Sequence, residues 1–466
     1  MLFDSPIFFV FLLLVVVAYW CLKWRAQNIL LLVASYFFYG WWDWRVLLLM
    51  AGSTVADFVI AKRIAAFEEP RPRRSWLVFS IALNLSFLGV FKYFNFFVGS
   101  FAATLHGVGV QNVSLPVLRI LLPPGISFYT FQAIAYVVDV YRRKIKPANS
   151  LLDYALFISL FPHLIAGPIQ RPSHLLPQVE NPRQFDETRF FDGILLMLSG
   201  LFRKCIIADN CALIANAAFG GSMGRPTFFT VLLGTYAFAW QIYGDFSGYS
   251  DIARGSAQLL GFHFMVNFRQ PYLSTSFTDF WKRWHISLSS WLRDYVYMNL
   301  RFTYRNVLFT MLLCGLWHGA SWIFVIWGAV HGFFLVIERY AALVRGFAGR
   351  LAQSSAIKIW AQRILVFHLL CLTWILFRAG SLAQAADMLK GLPVFTWDPI
   401  YLTSFKFLAL FSLPLFLVDL ALERSRAEYL FQQRSPMFRV GLGLSALVLL
   451  TLFSANEANA FIYFQF

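Results

Sequence analysis

The sequence predicts an all-α, polytopic integral membrane protein with about eleven or twelve transmembrane helices, some of them broken or re-entrant. Three observations carry this. Of 466 residues, 59% are hydrophobic and 13% charged, more apolar surface than a soluble chain can hide. A dozen spans of about 20 residues use up roughly half of such a chain, so residues 1–466 read as a single integral membrane domain with no separate globular part. The 39 Lys and Arg exceed the 23 Asp and Glu to give a net charge of +16. They sit in short clusters between apolar runs, which fits the positive-inside rule and excludes a nucleic-acid-binding face.

The first apolar run, Ile7–Leu22, follows Asp4 without a preceding Lys or Arg and is itself followed by Lys23 and Arg25. It therefore reads as a retained span rather than a cleavable signal peptide. Basic residues after it place the N-terminus outside, which in a bacterium means the periplasm or cell exterior. Asn28–Trp42 then runs outward and Trp44–Ala61 returns to Lys62, Arg63, Arg71, Arg73 and Arg74. Trp76–Ser100 goes out, and Leu121–Val140 comes back to Arg142, Arg143, Lys144 and Lys146, so the parity agrees twice.

Beyond that point the spans loosen. Leu151–Ile169 holds Pro162, His163, Gly167 and Pro168, and Phe190–Phe219 holds Arg203 and Lys204. Both read as broken or re-entrant segments, because irregular backbone at membrane depth needs protein or a wet cavity to satisfy it. Gln170–Arg189 is the longest polar linker, and Gly221-Ser222-Met223-Gly224 reads as a turn. Later spans are Phe367–Phe377, Phe405–Leu420 and Gly441–Phe453, with Arg424, Arg426, Arg434 and Arg439 on the inner side. Cys21, Cys205, Cys211, Cys314 and Cys371 lack metal-type spacing and read as buried thiols.

Among eight histidines, His106 and His174 read as loop residues, and His163 and His368 as ordinary hydrogen-bonding members of the bundle. His318 differs. It lies at the centre of Val307–Ile337, 31 residues without a charge, which is long for one span and short for two. Basic flanks at Arg301, Arg305, Arg339 and Arg345 favour a hairpin with its apex near Gly315–Ser321. Leu316-Trp317-His318-Gly319 then carries an imidazole deep in the bilayer, beside small residues that let a substrate approach. Burial disfavours the charged ring, and the neutral ring is the form a general base needs. The competing reading makes Gly315 and Gly319 a packing pair and His318 a cap on a broken helix.

A second constellation runs from Phe277 to Tyr295. At helical spacing, Phe277, Trp281, Trp284, His285, Leu288, Leu292 and Tyr295 share one face, while Lys282, Ser289 and Arg293 occupy another. The expectation is one amphipathic interfacial helix. Lys282, Arg283 and Arg293 then face either anionic membrane lipid or the phosphates of a coenzyme A ligand, and His285 points inward. The third constellation, Gln241–Asp251, places Tyr243, Asp245, Ser247 and Asp251 in an apolar region and reads as a cavity-lining polar network. Its Gly244 and Gly248 are spaced as a helix-packing pair. No H-E-x-x-H is present, Asp245-Phe246-Ser247-Gly248 lacks the first glycine of a serine-hydrolase motif, and no metal site is indicated.

At these three motifs the sequence resembles the membrane-bound O-acyltransferase family, most closely its bacterial polysaccharide-acetylating branch. The likeness extends to Ala34-Ser35-Tyr36-Phe37-Phe38-Tyr39, Phe91-Lys92-Tyr93, Gly125–Gln132, Phe161–Pro168 and the aromatic end Phe461-Ile462-Tyr463-Phe464-Gln465-Phe466. The resemblance implies helices around a central tunnel, His318 as the catalytic histidine and His285 as the second polar residue of the site. Trp281, Lys282, Arg283, Trp284, Arg293 and Trp317 fall in the matching motifs as substrate-binding candidates. Where relatives continue with a leucine-glycine-glycine-asparagine-arginine loop, this chain has Asn299-Leu300-Arg301-Phe302-Thr303-Tyr304, so its donor-side loop is expected to differ.

The resemblance implies acetyl transfer from cytoplasmic acetyl-CoA, a donor substrate rather than a bound cofactor, to an exported or cell-wall polysaccharide of the alginate type. It also implies a separate periplasmic or membrane-tethered partner, serine-hydrolase-like, that completes the transfer. The C-terminal hexapeptide reads as its contact or as an interfacial anchor. His318 acts as a base or forms a transient acetyl-imidazole, and His285 positions the donor or the intermediate. Peptidoglycan, cellulose and teichoic acid are alternative acceptors. The rival from another class is a transporter or flippase in which His318, Asp245 and Asp251 relay protons.

Overall fold

A computed structural model describes residues 1–110, 116–118, 122–165, 167–300, 303–347, 355–432, 434–455 and 461–462, and among these the regular structure is helical with no strand. The chain forms two compact units, Met1–Gly193 with Ala253–Met265, and Ile194–Ile252 with Val266–Phe466.

The first unit opens with α1 (Pro6–Trp20), α2 (Trp24–Gly40) and α3 (Trp44–Ala66). The side chains of Ser5 and Asp43 accept the first amides of α1 and α3. Next, α4 (Pro70–Leu88) and α5 (Phe94–Gly107) are joined by a π-helical turn at Gly89–Tyr93, so Pro70–Gly107 is one 38-residue rod. At 1.5 Å per residue this is about 57 Å, longer than a bilayer core. It contains both the expected span and three of the basic residues placed before it, Arg71, Arg73 and Arg74, while Lys62 and Arg63 end α3. Arg73 turns inward there, donating to Ile64 O, Phe67 O and Tyr141 O, and so satisfies the last carbonyls of α3 and of α6 (Ile126–Tyr141).

Leu151–Ile169 is broken, as its prolines suggest. α7 (Leu151–Ser159) stops where Leu160 leaves helical geometry, and α8 (Phe161–Leu164) follows. The Phe161 amide freed by the break donates to Ser35 Oγ at 3.0 Å. Ala166 lies outside the described residues. The polar linker is not extended: it folds into α9 (Pro172–Glu180), which buries Leu175, Leu176 and Val179. Beyond α9, Arg183 donates to Tyr19 Oη, Asn28 Oδ1 and the carbonyls of Gln178 and Val179, tying the segment down. His174 therefore sits in a helix, and so does His106, in the last turn of α5.

The second unit takes up α10 (Glu187–Leu201) from Ile194 and continues through a π-helical turn at Phe202–Ala208 into α11 (Asp209–Phe219). The expected break at Arg203 and Lys204 is this wider turn, because both cations are paired inside the protein. After α12 (Phe228–Leu259) come the short α13 (Phe277–Arg283) and α14 (Ile286–Trp291), and a π-helical turn at Leu292–Val296. The rest is α15 (Tyr304–His318), α16 (Trp322–Phe347), α17 (Ala356–Arg378), α18 (Leu382–Gly391), α19 (Pro399–Ser425) and α20 (Pro436–Phe453).

Six helices among the described residues are long and apolar enough to cross a membrane: Trp44–Ala66, Pro70–Gly107, Trp322–Ala341, Ala356–Arg378, Pro399–Ser425 and Pro436–Phe453. The protein is a multi-pass, all-α membrane protein. The remaining expected spans correspond to shorter helices, such as the 15-residue α1 and α15 and the 17-residue α2. Cys211, Cys314 and Cys371 are buried, whereas Cys21, at the C-terminal cap of α1, is exposed.

Candidate active site

The uncharged run folds as the hairpin its length requires. α15 ends at His318, Gly319 is extended, and α16 starts at Trp322. The two arms touch backbone to backbone. A Cβ on Gly315 would lie 2.1 Å from Phe324 O, and one on Gly328 would lie 2.2 Å from Met311 O. Only glycine permits that approach, so the packing partner of Gly315 is Gly328 across the hairpin rather than Gly319. His318 is held at the apex, 3% exposed, with ring centroids 5.0 Å from Trp317, 5.1 Å from Trp327 and 5.2 Å from Phe377. Basic flanks Arg301 and Arg345, and Phe302 of the divergent donor-side loop, lie outside the residues whose side chains are described.

His285 sits across Trp317 from His318, with its ring 5.7 Å from the indole. Here the expectation of one continuous amphipathic helix fails. Helix α13 ends at Arg283, Trp284 is extended, and His285 takes φ 43°, ψ 54° before α14 begins. A left-handed backbone at a non-glycine residue persists only where its surroundings enforce it, and Asn267 supplies the enforcement. Its carbonyl O accepts Ile286 N at 2.9 Å. Its side-chain Oδ1 accepts from Ser287 N at 3.3 Å and Ser287 Oγ at 2.9 Å, and lies 3.1 Å from His285 Nδ1. Because the Ser287 amide can only donate, the atom facing it is the Asn267 oxygen, and His285 Nδ1 must carry the proton. Nε2 is then the lone-pair nitrogen. Asn267 Nδ2 is fixed in turn by Ser250 Oγ at 3.0 Å. The break also buries Trp284 and His285 instead of leaving them at an interface.

Sequence reasoning missed Asn267 and also a third histidine. His331 is fully buried on α16, its ring 4.4 Å from Trp327 and 5.4 Å from Trp281. Its Nε2 meets Thr373 Oγ1 at 3.1 Å, and since that hydroxyl donates to Leu370 O, His331 Nε2 is the donor. Its Nδ1 is buried without a partner among the described residues. The available signal was the four-residue spacing from Trp327 to His331, which puts both on the helix face that meets His318. The result is a continuous row of rings: His285, Trp317, His318, Trp327, His331, Trp281.

Beside this row lies a 670 Å³ cavity lined by Trp281, Lys282, Arg293, Met311, Cys314 and Arg339, among others. Cys314 is one helical turn before His318, so the cavity runs from basic residues toward the histidine hairpin. Lys282 and Arg293 are exposed. Arg283 does not join them. Its guanidinium is taken up by Asp279 at 2.8 Å and by Glu423 at 2.7 Å, an arrangement that anchors α13 rather than presenting a charge to a ligand.

The third constellation is an ion-pair network on α12. Asp245 meets Lys204 at 3.0 Å, Lys204 meets Asp209 at 2.8 Å, Asp251 meets Arg203 at 3.2 Å, and Tyr243 Oη donates to Asp419 Oδ1 at 3.1 Å. Ser247 is buried in the same stretch. The glycine pair packs helices: a Cβ on Gly248 would lie 2.6 Å from Gly200 O. Asp245 also accepts Ile462 N at 2.7 Å, and Phe461 stacks on Tyr249 at 4.1 Å. These two residues of the aromatic end are thus buried in the unit; residues 463–466, the rest of the hexapeptide read as a contact or anchor, lie outside the described ones. No group of three His, Cys, Asp or Glu among the described residues is arranged to hold a metal ion.

The model of the membrane-bound O-acyltransferase family matches residues 143–377, a stretch that contains all three histidines, Asn267 and the cavity. A Pseudomonas aeruginosa protein named "Probable alginate O-acetylase AlgI" is 44% identical over 410 residues, 85% of this chain and 76% of its own. A Helicobacter pylori peptidoglycan O-acetyltransferase is 34% identical over 84% of this chain and 80% of its own. A Streptococcus thermophilus teichoic acid D-alanyltransferase is 29% identical over 46% of this chain and 56% of its own. The chain belongs to the membrane-bound O-acyltransferase family and is an acyltransferase.

Proposed function

We propose that the protein takes acetyl from acetyl-CoA at its cytoplasmic face and passes it through the membrane for O-acetylation of an exported polysaccharide, alginate or a polymer like it. The observation that carries the reading is the placement of His318 at a buried hairpin apex, across Trp317 from His285 and one helical turn from the cavity. Lys282, Arg293 and Arg339 at that cavity suit the phosphates of coenzyme A, and the apolar wall of Met311 and Cys314 suits its thioester arm. Two relatives are named as O-acetyl-transferring enzymes of alginate and peptidoglycan, and the alginate match is the more similar.

In this reading His318 is the general base. It takes the proton from an acceptor hydroxyl, the oxygen attacks the thioester carbonyl, the C–S bond breaks, and the proton passes from the imidazolium to the leaving thiolate. His285 positions the donor, its lone-pair Nε2 nitrogen accepting from an amide N–H of the pantetheine arm. The N-terminus faces outward in the inner membrane, and a serine-hydrolase-like partner outside completes transfer to the polymer. The proton-relay reading gives way, since Asp245 and Asp251 are each engaged in an ion pair.

The test uses vesicles of defined orientation carrying the full chain and its candidate partner. Radiolabelled acetyl-CoA supplied to the face bearing Lys282 and Arg293 is expected to be consumed, with label appearing in polysaccharide on the other side. Consumption only from the opposite face, or none with both present, would overturn the proposal.

A further inference from the structure

Two neighbouring cavities in the second unit have no part in the acetyl-transfer site. The first, 550 Å³, is polar and lined by Arg269, Gln270, Arg283, Glu423, Arg426 and Gln432 among others. The second, 170 Å³, is an apolar groove along α19 and α20 lined by Leu415, Val418, Leu422, Leu442 and Leu449 among others. They share Leu422 and Glu428, so the polar chamber opens onto the groove.

The charges in the chamber are unequal in status. Glu423 is neutralised by Arg283 at 2.7 Å and Arg363 at 3.1 Å. Among the described residues, the guanidinium groups of Arg269 and Arg426 have neither hydrogen bond nor ion pair. Depth fits as well. α19 and α20 are both membrane-length, and the residues between Ser425 and Pro436 mark one membrane surface. From there Leu422 back to Leu415, and Leu442 on to Leu449, each cover about 10 Å of hydrocarbon depth at 1.5 Å per residue. Among the described residues, two of the four non-glycine residues with left-handed backbone, Gln270 and Arg426, line this chamber. Such conformations cluster at ligand clamps.

We propose that this is a binding site for one anionic phospholipid, its phosphate held by Arg269 and Arg426 and an acyl chain lying in the groove between α19 and α20. Arginine at headgroup level selects phosphate, and the adjoining apolar groove selects an amphiphile over a soluble anion. The site also touches the chemistry at one remove. Arg269 and Gln270 follow Asn267 by two and three residues, and Arg269 N donates to Arg283 O at 2.9 Å. A bound headgroup steadies the strand-like segment that fixes the tautomer of His285.

The test is lipid retention by the purified full chain, read by native mass spectrometry after nanodiscs of phosphatidylcholine containing phosphatidylglycerol. The wild type is expected to keep one phosphatidylglycerol, and the double variant Arg269→Ala/Arg426→Ala to hold it roughly tenfold more weakly or worse. Val418→Trp, which fills the groove and keeps both arginines, is expected to lose it too, while Arg225→Ala/Lys390→Ala, elsewhere on the surface, retains it. Wild-type retention in either the double variant or Val418→Trp overturns the proposal. So does coenzyme A, in phosphatidylcholine alone, stabilising the wild type but not the double variant, which would assign the arginines to the donor. Retention is read without acyl transfer, so its failure leaves the acetyl-transfer proposal standing.

Discussion

Replacing Asn267 by Ala removes the one oxygen that Ser287 N, Ser287 Oγ and His285 Nδ1 all share. The stranded groups have one internal remedy, because Ser287 Oγ already lies 3.5 Å from His285 Nδ1. If the hydroxyl donates there, Nδ1 must give up its proton and Nε2 must gain one. The remedy thus inverts the tautomer, and the face of His285 opposite Asn267 becomes a donor instead of an acceptor. The Ser287 amide loses its Asn267 acceptor in either case, at a cost of about 1–3 kcal/mol in stability. For catalysis, loss of a side chain that fixes a site histidine typically costs about 10–100-fold. Acetyl-CoA turnover in vesicles and thermal unfolding of the purified chain measure the two effects separately. Asn267→Asp keeps the acceptor and is expected to fall between wild type and Asn267→Ala. A kcat for Asn267→Ala within about twofold of wild type would refute the role assigned to this residue.

Other perturbations follow from the same geometry. Lys204→Met leaves Asp209 and Asp245 buried without their cation, and is expected to cost about 3–5 kcal/mol, seen as a lowered melting temperature and reduced protein level; unchanged melting would contradict the network. Gly328→Val forces the hairpin arms apart, because its Cβ would lie 2.2 Å from Met311 O, and is expected to abolish folded protein. By contrast, Gly52→Ala, with nothing within 4 Å of its Cβ, is expected to be neutral or to stabilise by about 0.5–1 kcal/mol. Lys282→Ala with Arg293→Ala is expected to raise KM for acetyl-CoA while leaving kcat nearly unchanged, since both are exposed cations that line the cavity and neither belongs to the histidine row. A fall in kcat at unchanged KM would move them into the chemical step.

The hairpin was legible because 31 uncharged residues with basic ends admit few arrangements, and the buried histidine at its centre followed directly. The break at His285 was hidden because Phe277–Tyr295 keeps a helical face throughout. What interrupts it is Asn267, 18 residues earlier, and no local pattern announces a partner at that distance. The same limit applies to Lys204 and Asp245. Each stands out as a charge in an apolar run, but their pairing depends on α12 lying against the π-helical turn, which Gly200 and Gly248 permit. His331 escaped notice because a lone histidine in an apolar helix carries no signal until Trp327 and Trp281 are seen to close around it.

The central claim is that the His318 imidazole is the base that activates the acceptor. The direct measurement is acetyl transfer from radiolabelled acetyl-CoA to polysaccharide by His318→Ala and His318→Gln at matched membrane protein levels, with the partner present. Both variants are predicted to lose transfer by at least about 100-fold while keeping the wild-type melting temperature. Transfer by folded His318→Ala at the wild-type rate would contradict the account and move the search for the base to His285 or His331.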